Sequence, residues 1–222
     1  MSTNKSFQLV IDSLPLLLQG AVMTVKAAIC GIILGFILGV MIGVLQSKKL
    51  KIFGLSHIFD LYVAVIRGTP LYVQLLLVYY ALPDLLGVNL SPFLAGIITL
   101  GFNSAAYIAE TVRGGMNALA QGQWEACHVL GYSLPASLRY IILPQVMRDV
   151  LPALVNELIV LAKETSILST IGLLELTKVG TNINARAFDP MVVYGVIALF
   201  YLAMTSVLAV AARYIEKAYA HD

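Results

Sequence analysis

Glu157, Lys163 and Glu164 stand inside a run that is otherwise apolar from about Val150 to Leu174. An ionisable side chain at the centre of a membrane helix costs at least ~2.5–3.5 kcal/mol, so charge there implies a partner or a wet cavity. The two glutamates are seven residues apart, which puts them on one helical face about 10 Å apart along the axis. Lys163 follows Glu157 by six residues and lies on an adjoining face. Two carboxylates on one face suit a cationic or zwitterionic ligand. The same three charges also suit a lysine–carboxylate network that only joins helices.

A second polar stripe runs through Asn103, Tyr107 and Glu110, whose spacing places all three on one face, with Ser104 beside them. In lipid such a stripe must face protein or water; interhelical hydrogen bonding and ligand contact both satisfy it. Upstream, Pro70 in Arg67-Gly68-Thr69-Pro70 disfavours helix at Thr69. A helix broken or re-aimed there is predicted, with Arg67 at the break and Gln74 one turn further on. Arg67 in that place either lines a pathway or snorkels to the headgroups. The histidines, His57, His128 and His221, are scattered. No HExxH, Gly-x-Ser-x-Gly or phosphate-binding GxxxxGK[ST] motif occurs, so the chain is not expected to hydrolyse nucleotide.

The elements that hold these residues must be solvated by lipid. Of 222 residues, 59% are hydrophobic and 12% charged, and the mean hydropathy is +0.89. A soluble domain carries about 25% charged residues, so a disordered chain and an ordinary cytoplasmic enzyme are both excluded. The net charge of +2 is too small to point to nucleic acid. Cys30 and Cys127 lie far apart, in an apolar and a polar run, which argues against a disulfide or a zinc site. No small-residue cleavage site follows a short apolar core, so the first span is expected to serve as its own insertion signal.

Read as one domain over 1–222, the chain is expected to be an all-α membrane protein with five transmembrane helices, at approximately 19–46, 58–82, 90–112, 149–174 and 190–213. Lys48, Lys49 and Lys51 follow the first span and Arg113, Arg139 and Arg148 the third; Arg213 and Lys217 lie at the C-terminal end. The positive-inside rule then puts the N-terminus outside and these segments in the cytoplasm, with Lys178 and Arg186 a mild exception. In the first span, Gly31, Gly35, Gly39 and Gly43 share one face, which serves either tight packing or a sliding surface.

The connection after the third span has its own pattern. Gly122 and Gly131 bracket a short helix, with Gly131 suited to the position just past its end. Ser133 and Pro135 start a second helix that is expected to stop or kink near Pro144. Trp124 and Leu130, if exposed on the first of these helices, call for a groove on a partner protein or on the chain's own bundle.

Glu125-Ala126, then Gly131, then Ile141, Leu143 and Pro144 resembles the EAA loop of importer-type ABC transporter permeases, with Cys127 in place of the second alanine. Arg67-Gly68-Thr69-Pro70-Leu71, the segment Gly101 to Tyr107 with Glu110 and Arg113-Gly114-Gly115, and Gly122-Gln123-Trp124 resemble the polar amino acid branch, the histidine/glutamine/arginine-type permeases. The resemblance runs from about Gln19 to Tyr219 and implies a transport subunit of the bacterial inner membrane rather than an enzyme. It implies a coupling helix in the EAA loop, approximately 121–144, between the third and fourth spans, with Trp124, Glu125, Ala126, Gly131, Leu143 and Pro144 meeting a cytoplasmic ABC ATPase dimer. ATP and Mg would reside in that partner, and no cofactor in this chain. A periplasmic or extracellular binding protein would deliver the amino acid, and a second permease subunit, identical or paralogous, would complete the pore. A substrate site in relatives maps by motif onto Asn103, Glu157 and Glu164. Arg67 and Gln74 are possible lining residues, and Lys163 either neutralises a glutamate or meets the ligand carboxylate. The alternatives are a secondary transporter, in which the glutamates would couple to protons, and a scaffold that uses the loop helix only for docking. The chain lacks the internal repeats usual in the former.

Overall fold

In the computed structural model, residues 3–50 and 55–219 are described, and they form helices and their connections. Lys51 and His221 lie outside them, as does the side chain of Lys217. A short α1 (Thr3–Asp12) leads into the long α2 (Leu14–Leu45). Next come α3 (Leu55–Gly68), α4 (Leu71–Leu76), a π-helical turn (Leu77–Ala81) and α5 (Leu82–Leu86). The long α6 (Pro92–Ala118) is followed by α7 (Gln121–Val129), α8 (Leu134–Ser137), a second π-helical turn (Leu138–Ile142) and α9 (Leu143–Glu164). A 3-10 stretch (Thr165–Ile171), α10 (Leu176–Ala187) and α11 (Pro190–Tyr219) complete the order.

The expectation of five spans is corrected. Among the described residues three helices are long and apolar enough to cross a membrane: α2, α6 and the Pro190–Tyr214 part of α11. Leu55–Gly68 and Leu71–Leu86 pass only when taken together, as one broken unit bent by 107°, which allows a fourth. The segment expected at 149–174 does not qualify. Its helix, α9, carries Arg148, Asp149, Glu157, Lys163 and Glu164, and gives way to the 3-10 stretch directly after Glu164. So much charge fits a helix enclosed by protein better than one bathed in lipid, and α9 packs against α6, α11 and α2. The outside position of the N-terminus, argued from an odd number of spans, falls with that count.

The α2–α6 pair is the most extensive helix contact. Along α2, Gly31, Gly35, Gly39 and Gly43 are buried, while Leu18, Val22, Ile29, Ile33, Ile37 and Met41 point outward. This inverts a soluble helix: small residues face protein and large apolar ones face the lipid. A Cβ at Gly39 would stand 2.6 Å from the Ile108 Cβ, and one at Gly43 2.5 Å from the Ala109 carbonyl oxygen. Within the subunit, therefore, the glycine face is a close-packed seam. Apolar clusters are stacked along the bundle, one around Leu17, Leu176 and Ile197, one around Ala27, Leu100 and Leu161, and one around Ile108, Val112, Cys127 and Val146.

The two π turns share a cause. Each ends two residues before a proline, Pro83 or Pro144, and the residue ahead of that proline donates its N–H five positions back, Leu82 to Leu77 and Leu143 to Leu138. A proline ring clashes with the carbonyl four residues upstream and removes a donor; widening the preceding turn accommodates both losses. The chain consequently stays helical through Pro144 instead of stopping there.

Candidate functional site

The helix break at Pro70 organises the polar interior. Pro70 has extended ψ and no N–H, so the Ile66 carbonyl lacks the donor that an uninterrupted helix would supply. The Gln74 side chain replaces it. Its Nε2 donates to the Ile66 carbonyl at 2.8 Å, to the Thr69 carbonyl at 3.1 Å and to Thr69 Oγ1 at 2.9 Å. Thr69 Oγ1 in turn donates to the Val65 carbonyl at 2.8 Å. Gln74 Oε1 accepts from Asn103 Nδ2 of α6 at 3.0 Å. Gln74 and Asn103 are 8% and 5% exposed, so this pair ties the break to the helix that carries the polar stripe. The amide oxygen of Asn103 makes no hydrogen bond among the described residues.

Arg67 sits just before the break. Its guanidinium lies over the Tyr107 ring, 5.3 Å from the centroid, and reaches Glu110 Oε2 only at 4.0 Å. Glu110 is held from its own helix by Arg113, through Nε at 3.1 Å and through the second guanidinium nitrogen. Arg67, Glu110 and Arg113 line a cleft of about 340 Å³ together with Gln46, Asp60, Val63 and Ala64. Gln46 Nε2 donates to Asp60 Oδ1 at 2.8 Å.

On α9, Glu157 and Glu164 are half-buried and Lys163 is exposed. Glu157 faces Ser104 of α6 and feels the charge of Glu164; the Ser104 hydroxyl is buried without a hydrogen-bond partner. No ion pair among the described residues joins Lys163 to either glutamate. The structure therefore places Glu157 beside the Asn103–Ser104 edge of α6, and it sets Arg67 apart in its own cleft.

A further carboxylate escaped the sequence reading. Glu175, completely buried, caps α10, accepting from the Thr177 N–H at 2.9 Å and the Lys178 N–H at 2.7 Å. Tyr201 of α11 donates its hydroxyl to the same carboxylate at 2.8 Å. An acidic residue just ahead of a helix was the available signal; its tyrosine partner, 26 residues on, left none.

Just past the end of the short helix α7 stands Gly131, whose φ of +74° is open to glycine without strain. Cys127 is buried, and Trp124 is half-buried against the same apolar cluster as Ile108 and Val146. The expectation that Trp124 is exposed is thus corrected: its ring turns toward the bundle, where the apolar contact is. Its indole N–H is buried without a partner. Glu125 and Ala126 are exposed, and Glu125 accepts from Gln121 Nε2 at 2.8 Å. Val129 and Leu130 are 85% and 70% exposed. Leu143 is half-buried and Pro144 exposed at the start of α9.

Residues 32–221 match the family model described as the binding-protein-dependent transport system inner membrane component. The chain belongs to this family. It is 35% identical to an arginine transport system permease protein, ArtQ, of Bacillus subtilis (strain 168), over 96% of this chain and 97% of that one. It is 37% identical to a glutamine transport system permease protein, GlnP, of Escherichia coli (strain K12), over 92% and 93%. A crystal structure of an amino acid ABC transporter with histidines superposes with a TM-score of 0.85 at 36% identity, covering 95% of this chain and 97% of that one. An inward-facing methionine ABC transporter, MetNI, shares the fold, with a TM-score of 0.82 at 20% identity over 94% and 98%. The protein is a permease subunit of the polar amino acid branch of ABC importers, a multi-pass protein of the inner membrane. In such a permease family ATP hydrolysis resides in a separate ATPase, and membership implies that partner and a periplasmic binding protein.

Proposed function

We propose that this permease passes polar amino acids along the two α9 carboxylates, Glu157 and Glu164, and favours those with a cationic side chain. The observation that carries the reading is the pair itself, two half-buried carboxylates on one helical face, neither joined in a salt bridge among the described residues. In a low-dielectric cavity such a pair attracts a ligand cation strongly. Asn103 offers its amide oxygen at the edge of the same region, with Gln74 holding the asparagine in place. Lys163, exposed on the adjoining face, is available to the ligand carboxylate.

The pore is formed with a second permease subunit, a copy or a paralogue. Transport is driven by alternating access, with α7 seated in a cleft of an ATPase dimer and the amino acid delivered by the binding protein. The test is uptake of radiolabelled L-arginine into proteoliposomes holding the complete transporter. Uptake should vanish with a hydrolysis-dead ATPase. It should fall about tenfold with Glu157→Gln, the effect of one lost charge-assisted contact, while the complex purifies intact. Uptake that persists with the inactive ATPase, or that is unchanged in Glu157→Gln, would overturn the reading.

A further inference from the structure

We propose that the cleft between the end of α2, α3 and α6 is a second amino acid station, one that reads the α-carboxylate and α-ammonium groups rather than the side chain. In this station Arg67 takes the carboxylate and Glu110 the ammonium. The inference rests on the reading that the permease carries amino acids, but it uses none of the α9 residues.

The first support is where the charges lie. Arg67, Glu110 and Arg113 are 42%, 34% and 35% exposed in the isolated chain, and two of them belong to α6, a helix apolar enough to span the membrane. Charges that far exposed are not left against lipid; within a bilayer they face a water-filled path or other protein. Glu110 and Arg113 also lie toward the α7 end of α6, the end that meets the ATPase in the reading above. A place at that end of α6 suits the exit half of a path.

The second support is unused bonding capacity. Arg67 makes no hydrogen bond among the described residues. Tyr107 covers one face of its guanidinium, and the nearest carboxylate oxygen is too distant to accept. The planar fork, built for bidentate carboxylate recognition, is left open. Each Glu110 oxygen accepts from Arg113 and keeps a further lone pair. Gln46, which lines the cleft at 6% exposed, has an amide oxygen with no partner.

The third is balance of charge and size. Arg67 and Arg113 line the cleft together with the Glu110 carboxylate, so the lining presents both signs of charge, and a zwitterion pairs with both. The volume of about 340 Å³ lies at the small end of ligand pockets, about 300–1,000 Å³. A station of this kind serves every substrate alike, leaving discrimination to the α9 carboxylates and the binding protein.

The test uses the purified permease–ATPase complex without binding protein and measures equilibrium binding of radiolabelled L-arginine, L-glutamine and agmatine, the arginine analogue without a carboxylate. In Glu157→Gln/Glu164→Gln, residual binding of both amino acids but not of agmatine is expected. Adding Arg67→Gln should weaken it about tenfold, by the same factor for both, as one charge-assisted contact is lost. Arg67→Lys should retain an intermediate affinity, which separates a missing contact from a misfolded chain. Residual binding that is absent, that includes agmatine, or that is indifferent to Arg67→Gln would overturn the station. Undiminished arginine affinity in the double glutamine variant would instead sink the α9 reading.

Discussion

A proline inside a polar membrane helix leaves one carbonyl without its donor, and Gln74 shows how a side chain can answer that loss. If the amide stands in for the missing Pro70 N–H at the Ile66 carbonyl, then Gln74→Leu leaves a buried acceptor unsatisfied, a loss of about 1–3 kcal/mol. Pro70→Ala, which returns an N–H, should recover part of that loss in the double variant. The measurement is a double-mutant cycle by thermal unfolding in detergent, where a coupling energy near zero would show that the amide does not act through the proline. Tyr201→Phe is the companion case. It removes one of the donors to Glu175 and leaves the two backbone N–H groups in place. The expected loss is about 1–2 kcal/mol with transport rates preserved at permissive temperature, and a large fall in uptake without destabilisation would give Glu175 a part in transport. The sequence identified Arg67, Gln74, Asn103, Glu157 and Glu164 as unusual because each is polar in apolar surroundings. It could not pair them. Gln74 and Asn103 are 29 positions apart, and such partners depend on tertiary placement that no local pattern encodes.

Helices of this chain are shaped by where they cannot pack apart or cannot stay regular. The break at Thr69–Pro70 was legible because proline acts on its immediate neighbour. The π turns ahead of Pro83 and Pro144 were not, because a helix can answer a proline by kinking, stopping or widening, and the choice depends on what it packs against. The span count failed for a related reason. The apolar residues of 149–174 suggested a span, but α9 carries five charged side chains and gives way to a 3-10 stretch directly after Glu164. The glycine seam of α2 was legible as small residues on one face, although only the structure shows its neighbour to be α6 of the same subunit. Gly39→Leu should force α2 from α6, since even a Cβ there meets Ile108 and the Ala105 carbonyl oxygen at under 3 Å. Overpacking of this kind costs about 1–3 kcal/mol or more, read as a lowered Tm and loss of assembled complex. Gly195→Ala on α11 meets nothing within 4 Å and should be neutral or slightly stabilising by helix propensity. Equal behaviour of the two variants would mean that close approach is not what the glycines provide.

For the whole molecule, the question is how an event in an ATPase reaches a substrate path inside the bundle. The short helix α7, which we propose makes that connection, has two unlike faces. Cys127 and Trp124 hold it to the cluster formed by Ile108, Val112 and Val146, so a push on α7 is delivered to α6 and α9 together. Glu125, Ala126, Val129 and Leu130 are left outward, an apolar and acidic surface that fits a groove on a partner. Those two faces predict separable failures. Glu125→Lys changes only the outer face, where Glu125 accepts a hydrogen bond from Gln121. It should leave the stability within about 0.5 kcal/mol of the parent, as surface substitutions do, with Tm nearly unchanged, while lowering ATPase association and uptake together. Cys127→Phe changes the inner face and should instead overpack the cluster by about 1–3 kcal/mol, lowering Tm before it affects docking. Measuring Tm, co-purification of the ATPase and uptake on the two variants separates the cases. Normal association and uptake in Glu125→Lys would remove the outer face of α7 from the coupling path, and an unchanged Tm in Cys127→Phe would show that the helix is not anchored to the bundle through its inner face.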